Sequence, residues 1–196
     1  MTKLLVYHGG AGGQFLSFII DPTYEYVEIN NEYFGKKHGH DYIYDADQEI
    51  SISRCTKVCS MHMDEYYRDI DYLGQFKTCA INTKTAPTYE YIIVLGALKS
   101  LLNNNINYWR RGEKLMSLIE SIKSPISQLK DNIAPADLSL YYEDIFIHQD
   151  PTSLHQLIDF FNIDISLEAL TAQLKSYTAR NIELLKEHNL LGDHYE

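Results

Sequence analysis

The chain has 196 residues, 45% hydrophobic and 22% charged, and its 17 Lys and Arg against 27 Asp and Glu give a net charge of −10. This length and composition predict one globular domain over residues 1–196 and exclude a largely disordered chain. The acidic balance disfavours a nucleic-acid polymer or an anionic membrane as partner, because both need a positive surface, but it permits a local site for a small anion. No apolar run has the length of a membrane span and no signal peptide is evident, so a cytoplasmic protein is expected.

The first half of the chain alternates short apolar runs, typical of strands, with runs of helical periodicity. Strands are predicted at Lys3–Tyr7, Tyr24–Ile29, Lys57–Met61 and Lys77–Ile81, and helices at Gln14–Ile20, Asp64–Leu73 and Pro87–Asn104. The polar stretch Asn30–Glu49 is predicted to be a long excursion outside the sheet. The first helix is expected to end at Asp21, because a residue before proline is disfavoured in the helical conformation.

The second half continues the same alternation. The predicted elements are a helix at Leu115–Ile122, a strand at Leu138–Tyr142, a helix after Asp150, and a last helical region from about Ser166 to Leu191. Asp150 followed by Pro151 is typical of a helix start, with the carboxylate as N-cap and proline in the first turn. Strands that alternate with helices predict a single α/β domain in which helices flank a parallel sheet.

A cluster of glycines separates the first predicted strand from the first predicted helix. This glycine window, Gly9–Gly13, holds four of the ten glycines of the chain. Glycine lets backbone amides approach an anion closely, and a helix N-terminus adds unpaired N–H groups and partial positive charge. The pattern is neither G-x-x-x-x-G-K-[ST] nor G-x-G-x-x-G. An anion-binding loop is therefore expected, with a tight turn that binds no ligand as the alternative; its residues are Gly9, Gly10, Ala11, Gly12, Gly13, Gln14 and Phe15.

A histidine follows the strand predicted at Lys57–Met61. His62 is expected at the same sheet edge as the glycine window, because parallel strands end together. An imidazole near neutral pH can accept the proton of an attacking hydroxyl, which makes His62 a candidate base. A purely structural histidine is the alternative.

Three stretches of the sequence resemble one family of enzymes. They are Leu4–Ser17, then Ser60-Met61-His62, then Ser139–Ile145 with the Asp150-Pro151 pair and the Phe160–Ile163 segment that follow it. Together they resemble the sulfotransferases that use 3′-phosphoadenosine-5′-phosphosulfate (PAPS), especially small glycine-rich variants seen in bacterial viruses. The resemblance implies a P-loop-NTPase-like fold, PAPS as co-substrate without a metal, and a small-molecule acceptor. It also implies that the glycine window binds the 5′-phosphosulfate and that His62 is the catalytic base.

The sequence departs from this family at its cationic positions. The glycine window has no Lys or Arg, and the Arg that reads the 3′-phosphate is missing from Asn82–Thr85, where Lys84 is a candidate substitute. Two alternatives therefore stand beside a sulfotransferase. One is a catalytically silent relative that binds a nucleotide or anion and acts through a partner; the other is a P-loop-type small-molecule kinase. Glu143 and Asp144 are predicted to be mainly structural, orienting loops through backbone N–H groups.

Overall fold

The computed structural model describes residues 3–21, 26–29, 32–35, 58–62, 75–102 and 136–190. The predicted helices Asp64–Leu73 and Leu115–Ile122 lie outside these residues. The described strands are β1 (Lys3–Tyr7), β2 (Tyr26–Ile29), β3 (Glu32–Gly35), β4 (Val58–His62), β5 (Thr78–Asn82) and β6 (Leu138–Tyr141). The described helices are α1 (Gly13–Ile20), α2 (Ala86–Leu102), a π-helix (Glu143–Ile147), α3 (Pro151–Phe161) and α4 (Leu167–Glu187).

Four of these strands form a parallel sheet in the order β4-β1-β5-β6, which confirms the predicted α/β class. β2 and β3 form a separate antiparallel pair. Within the predicted excursion Asn30–Glu49, the structure describes β3, which pairs with β2 and lies outside the parallel sheet. Tyr33 and Phe34 favour its extended conformation.

The helices contribute apolar side chains to a core that they share with the sheet. In α3, Leu154, Leu157 and Phe161 are buried at helical spacing. The last helix begins after Ser166, whose hydroxyl accepts a hydrogen bond from Ala169 N–H at 3.2 Å. No helix in the described ranges is long and apolar enough to cross a membrane.

A buried apolar core joins the sheet to these helices. Its members with no exposed surface include Leu5, Leu16, Val58, Ile81, Ile92, Leu95, Ile145, Phe146, Leu154, Leu157, Leu170 and Leu174. Cys79, in β5, is a free and fully buried thiol, and burial raises its pKa. Such a thiol contributes packing, because the thiolate needed for reaction is disfavoured away from water.

The order of the strands creates a switch point between β1 and β5. The chain leaves β1 toward β4 on one side, and it leaves β5 toward β6 on the other. In open α/β sheets, ligands bind beyond the carboxyl ends of the strands at such a point. The glycine window follows β1 and Lys84 follows β5, so both predicted binding segments border this crevice.

The N-cap of α3 gives a prediction for the pH dependence of stability. Asp150 accepts hydrogen bonds from Ser153 N–H at 2.9 Å and Ser153 Oγ at 2.8 Å, and these bonds lower its pKa. A lowered pKa in the folded state stabilises the fold above the unfolded-state pKa of about 3.9, and that stability is lost as the pH falls further. We expect Asp150→Ala to lower the midpoint of thermal unfolding at pH 7. The difference from wild type should shrink below about pH 4; a difference that does not change with pH would contradict this role.

Candidate functional site

The carboxyl ends of the parallel strands are level with one another. Tyr7, the last residue of β1, pairs with His62 on one side and with Ile81 on the other. On the next strand pair, Asn82 is opposite Tyr141. The structure therefore brings the backbone of His62 next to the start of the glycine window, as expected. His62 is the last residue of β4, whereas the sequence pattern placed it just beyond the strand; its role as a base remains a prediction.

Gly10 allows the loop after β1 to lie directly against α2. Its φ is +86°, in the left-handed region that glycine favours. A Cβ at Gly10 would stand 1.8 Å from the Ile92 carbonyl oxygen, and a Cβ at Gly96 would stand 3.0 Å from Gly10 Cα. Two backbones can approach this closely only where neither carries a side chain.

Gly12 and Gly13 are also explained by packing. Gly12 has a φ of +73°, and a Cβ there would be 2.7 Å from Phe146 Cζ and 3.2 Å from Tyr177 Cε1. A Cβ at Gly13 would be 2.0 Å from the Tyr7 ring. At three positions of the window, contacts within the protein are therefore enough to require glycine. The glycines alone therefore do not indicate anion binding, and the relevant feature is the backbone N–H groups of the loop and helix start.

Those N–H groups lie at the start of α1. Gly12 is the N-cap, and it has no side chain that could cap this helix. The first intrahelical bond runs from Leu16 N–H to the Gly12 carbonyl at 3.0 Å, so the amides of residues 13–15 precede it. The Ala11 amide is used within the loop, donating to the His8 carbonyl at 2.9 Å. Of the predicted anion-binding loop, the amides of the first turn of α1 are therefore the candidate hydrogen-bond donors.

The start of α2, on the other side of the switch point, contrasts with that of α1. Thr85 caps α2, because its Oγ1 accepts a hydrogen bond from Thr88 N–H at 3.2 Å. The buried carboxylate of Glu143 accepts from Lys84 N–H at 2.9 Å and from Thr85 N–H at 3.1 Å. The predicted structural role of Glu143 is confirmed. Its charge occupies the positive end of α2, whereas at the positive end of α1 no described side chain does so.

Lys84, the predicted substitute for a phosphate-binding arginine, is tied to the same segment. Its Nζ donates to Asp144 Oδ1 at 2.6 Å and lies 5.0 Å from the centroid of the Tyr141 ring. The hydrogen bond to Asp144 raises the pKa of Lys84, so the ammonium is charged at neutral pH. Lys84 therefore borders the crevice with its charge shared by an acidic neighbour, and its role in binding a cofactor remains a prediction.

Sequence reasoning missed a second lysine, Lys99, which contacts a tyrosine beside the glycine window. Lys99 is on α2 and is 9% exposed. Its Nζ donates to the Tyr177 hydroxyl at 3.2 Å and lies 4.6 Å from the centroid of that ring. The Tyr177 ring in turn stacks on Phe15, in the first turn of α1, with 4.2 Å between centroids. One signal was present in the sequence: Lys99 continues the apolar face of α2 at helical spacing from Ile92 and Leu95.

Comparison of the chain with protein-family models, curated proteins and solved structures finds no match.

Proposed function

We propose that the chain is a sulfotransferase that moves a sulfuryl group from PAPS to a hydroxyl or amine acceptor, on a P-loop-NTPase-like sulfotransferase fold. The observation that carries the proposal is the start of α1 at the switch point. The N-cap of this helix is a glycine, its first turn contains no acidic residue, and His62 is level with the end of β1. A helix N-terminus stabilises an oxyanion, and a histidine at the same sheet edge can take a proton.

The proposed reaction has one displacement step. The acceptor oxygen or nitrogen attacks the sulfur of PAPS and forms the new bond. The bond from sulfur to the bridging oxygen of the 5′-phosphate breaks, and that oxygen leaves with the electron pair as part of 3′-phosphoadenosine 5′-phosphate. His62 takes the proton of the acceptor. Positioning and electrostatic stabilisation supply most of the acceleration in transfers of this kind.

One observation favours a second candidate, a protein that binds a nucleotide without catalysing transfer. Contacts within the protein explain Gly10, Gly12 and Gly13, and the glycine window carries no cation of its own. A catalytically silent relative would retain this loop as a binding platform. The two candidates agree on the site and differ only in turnover.

Calorimetric titration distinguishes the sulfotransferase and the catalytically silent relative from a kinase. The ligands are 3′-phosphoadenosine 5′-phosphate, the expected product, and ATP with Mg²⁺. The proposal predicts that the bisphosphate binds and that ATP binds more weakly. Tight binding of ATP without a response to the bisphosphate would favour a kinase, and no binding of either at millimolar concentration would exclude both enzymes.

Replacing His62 tests catalysis apart from binding. We expect His62→Ala to bind the bisphosphate like wild type and to release it from PAPS more slowly by about two to four orders of magnitude, the range for loss of a general base. The assay measures bisphosphate formation in the presence of a panel of hydroxyl and amine acceptors.

His155→Ala is the matched control, because His155 is an exposed histidine on α3 that contacts the Pro151 carbonyl. Turnover that is unchanged in His62→Ala would remove His62 from its proposed role. Wild-type protein that binds the bisphosphate but shows no turnover with any acceptor would favour the silent relative.

A further inference from the structure

Two buried polar side chains, Lys99 on α2 and Asn181 on α4, have no role in the reaction proposed above. Lys99 contacts the half-buried Tyr177 on α4, and Asn181 is one helical turn beyond Tyr177. Lys99 is 9% exposed and Asn181 is 0% exposed. Polar side chains are rarely buried to this extent unless they contact one another or a bound molecule.

Asn181 gives the clearest indication of a ligand. Its Nδ2 and Oδ1 atoms are buried and have no hydrogen-bond partner among the described residues. A buried amide that leaves both ends unpaired destabilises a protein, so such groups call for a bound polar molecule or water. Side chains of a helix lean toward its N-terminus, which places the Asn181 amide over the turn that begins at Tyr177.

Lys99 brings a positive charge to the same turn of α4. Its Nζ contacts both the hydroxyl and the ring of Tyr177. That ring stacks on Phe15, and its Cε1 lies 3.2 Å from the position of a Cβ on Gly12, the N-cap of α1. The Lys99 ammonium and the positive end of α1 thus both adjoin Tyr177. An anion bound beside Tyr177 would be stabilised by both positive charges.

We propose that Lys99, Tyr177 and Asn181 form, with the first amides of α1, a subsite for an oxyanion, and that this oxyanion is the sulfuryl group of the donor. The identity of the donor rests on the proposed function, whereas the subsite itself does not. Lys99 provides from α2 the positive charge that the glycine window lacks. The Asn181 amide donates to an oxygen of the anion, and the Tyr177 hydroxyl accepts from Lys99 and donates to the anion.

Calorimetric titration of three variants tests the subsite, with inorganic pyrophosphate and 3′-phosphoadenosine 5′-phosphate as probes. Lys99→Met removes the charge and keeps an apolar stem; Asn181→Leu removes the buried amide. We expect each to weaken pyrophosphate binding at least about tenfold, as for the loss of one hydrogen bond to a charged group. Lys175→Met, which removes an equal charge from the exposed side of α4, should leave binding unchanged.

Thermal unfolding without ligand distinguishes a binding role of Asn181 from a purely structural one. A structural role predicts that Asn181→Leu lowers the unfolding midpoint, and a binding role predicts that it raises the midpoint. We expect Asn181→Leu to raise the unfolding midpoint, since an unpaired buried amide is replaced by an apolar side chain next to Leu174 and Leu185. A lowered midpoint together with unchanged binding would identify Asn181 as a structural residue and overturn its part in the subsite.

The two probes separate failure of the subsite from failure of the proposed function. Pyrophosphate binding that falls in Lys99→Met and Asn181→Leu supports the subsite, even where the bisphosphate does not bind and the sulfotransferase proposal fails. Pyrophosphate that binds wild type and both variants equally overturns the subsite, whereas the bisphosphate, which lacks the sulfuryl group, reports on the rest of the donor site. No binding of either probe to wild type overturns both.

Discussion

Gly10→Ala is expected to destabilise the fold by about 3 kcal/mol or more, since left-handed backbone costs a residue with a Cβ about 1–2 kcal/mol and overpacking adds about 1–3 kcal/mol. The φ of Gly10 is +86°, and the new methyl group would stand 1.8 Å from the carbonyl oxygen of Ile92. That oxygen belongs to the backbone of α2, so the clash is relieved only if the loop or the helix moves. Denaturant unfolding of the variant and the wild type measures the difference.

Gly12→Ala is the matched control for the Gly10 substitution. Gly12 has a similar φ of +73°, but the atoms nearest to a Cβ there belong to the rings of Phe146 and Tyr177. Side chains can rotate away where a helix backbone cannot, so Gly12→Ala should destabilise the protein less than Gly10→Ala. Equal losses would mean that backbone strain alone decides the effect. A tolerated Gly10→Ala would contradict the packing of the loop on α2.

Glu143→Ala is expected to destabilise the fold by about 1.5–3 kcal/mol, the contribution of a hydrogen bond to a charged group, because the backbone N–H groups of Lys84 and Thr85 would lose their acceptor. Glu143 is 5% exposed. Its carboxylate bonds to Lys84 N–H at 2.9 Å and to Thr85 N–H at 3.1 Å, which fixes the segment between β5 and α2. The same substitution should weaken binding of 3′-phosphoadenosine 5′-phosphate, since that segment borders the switch point.

Asp144→Asn is the control for Glu143. Asp144 is the neighbouring carboxylate, and its partner Lys84 has a side chain that is 45% exposed. Solvent screens ion pairs of this kind, so the substitution should change the stability far less than Glu143→Ala. If the two substitutions lower the stability equally, the hydrogen bonds of Glu143 do not stabilise the segment between β5 and α2.

The main sheet could be predicted from the sequence because its strands are short apolar runs between polar segments. The predicted strand Lys3–Tyr7 is β1 itself, and the one at Lys77–Ile81 differs from β5 by one residue at each end. Local chemistry also identified the Asp150-Pro151 helix start. These features depend on residues adjacent in the chain, where hydrophobic periodicity and capping rules apply.

The candidate site was only partly predictable, because its central contacts join distant parts of the chain. The glycine window predicted a loop that binds an anion, yet Gly10, Gly12 and Gly13 are also required by their contacts with α2, Phe146, Tyr177 and Tyr7. Lys99 and Tyr177 are 78 positions apart. No local pattern pairs them, since their contact follows from how α2 and α4 pack.

The start of α1 is proposed to bind the anionic end of a nucleotide, and the resonances of its backbone amides would report this contact. In ¹⁵N-labelled protein titrated with 3′-phosphoadenosine 5′-phosphate, we expect the largest downfield shifts at the N–H groups of Gly13, Gln14 and Phe15, as they bond to an anion. The first turn of α3, which Asp150 already caps, should not respond. Saturable binding that leaves the resonances of Gly13, Gln14 and Phe15 unchanged would contradict the claim.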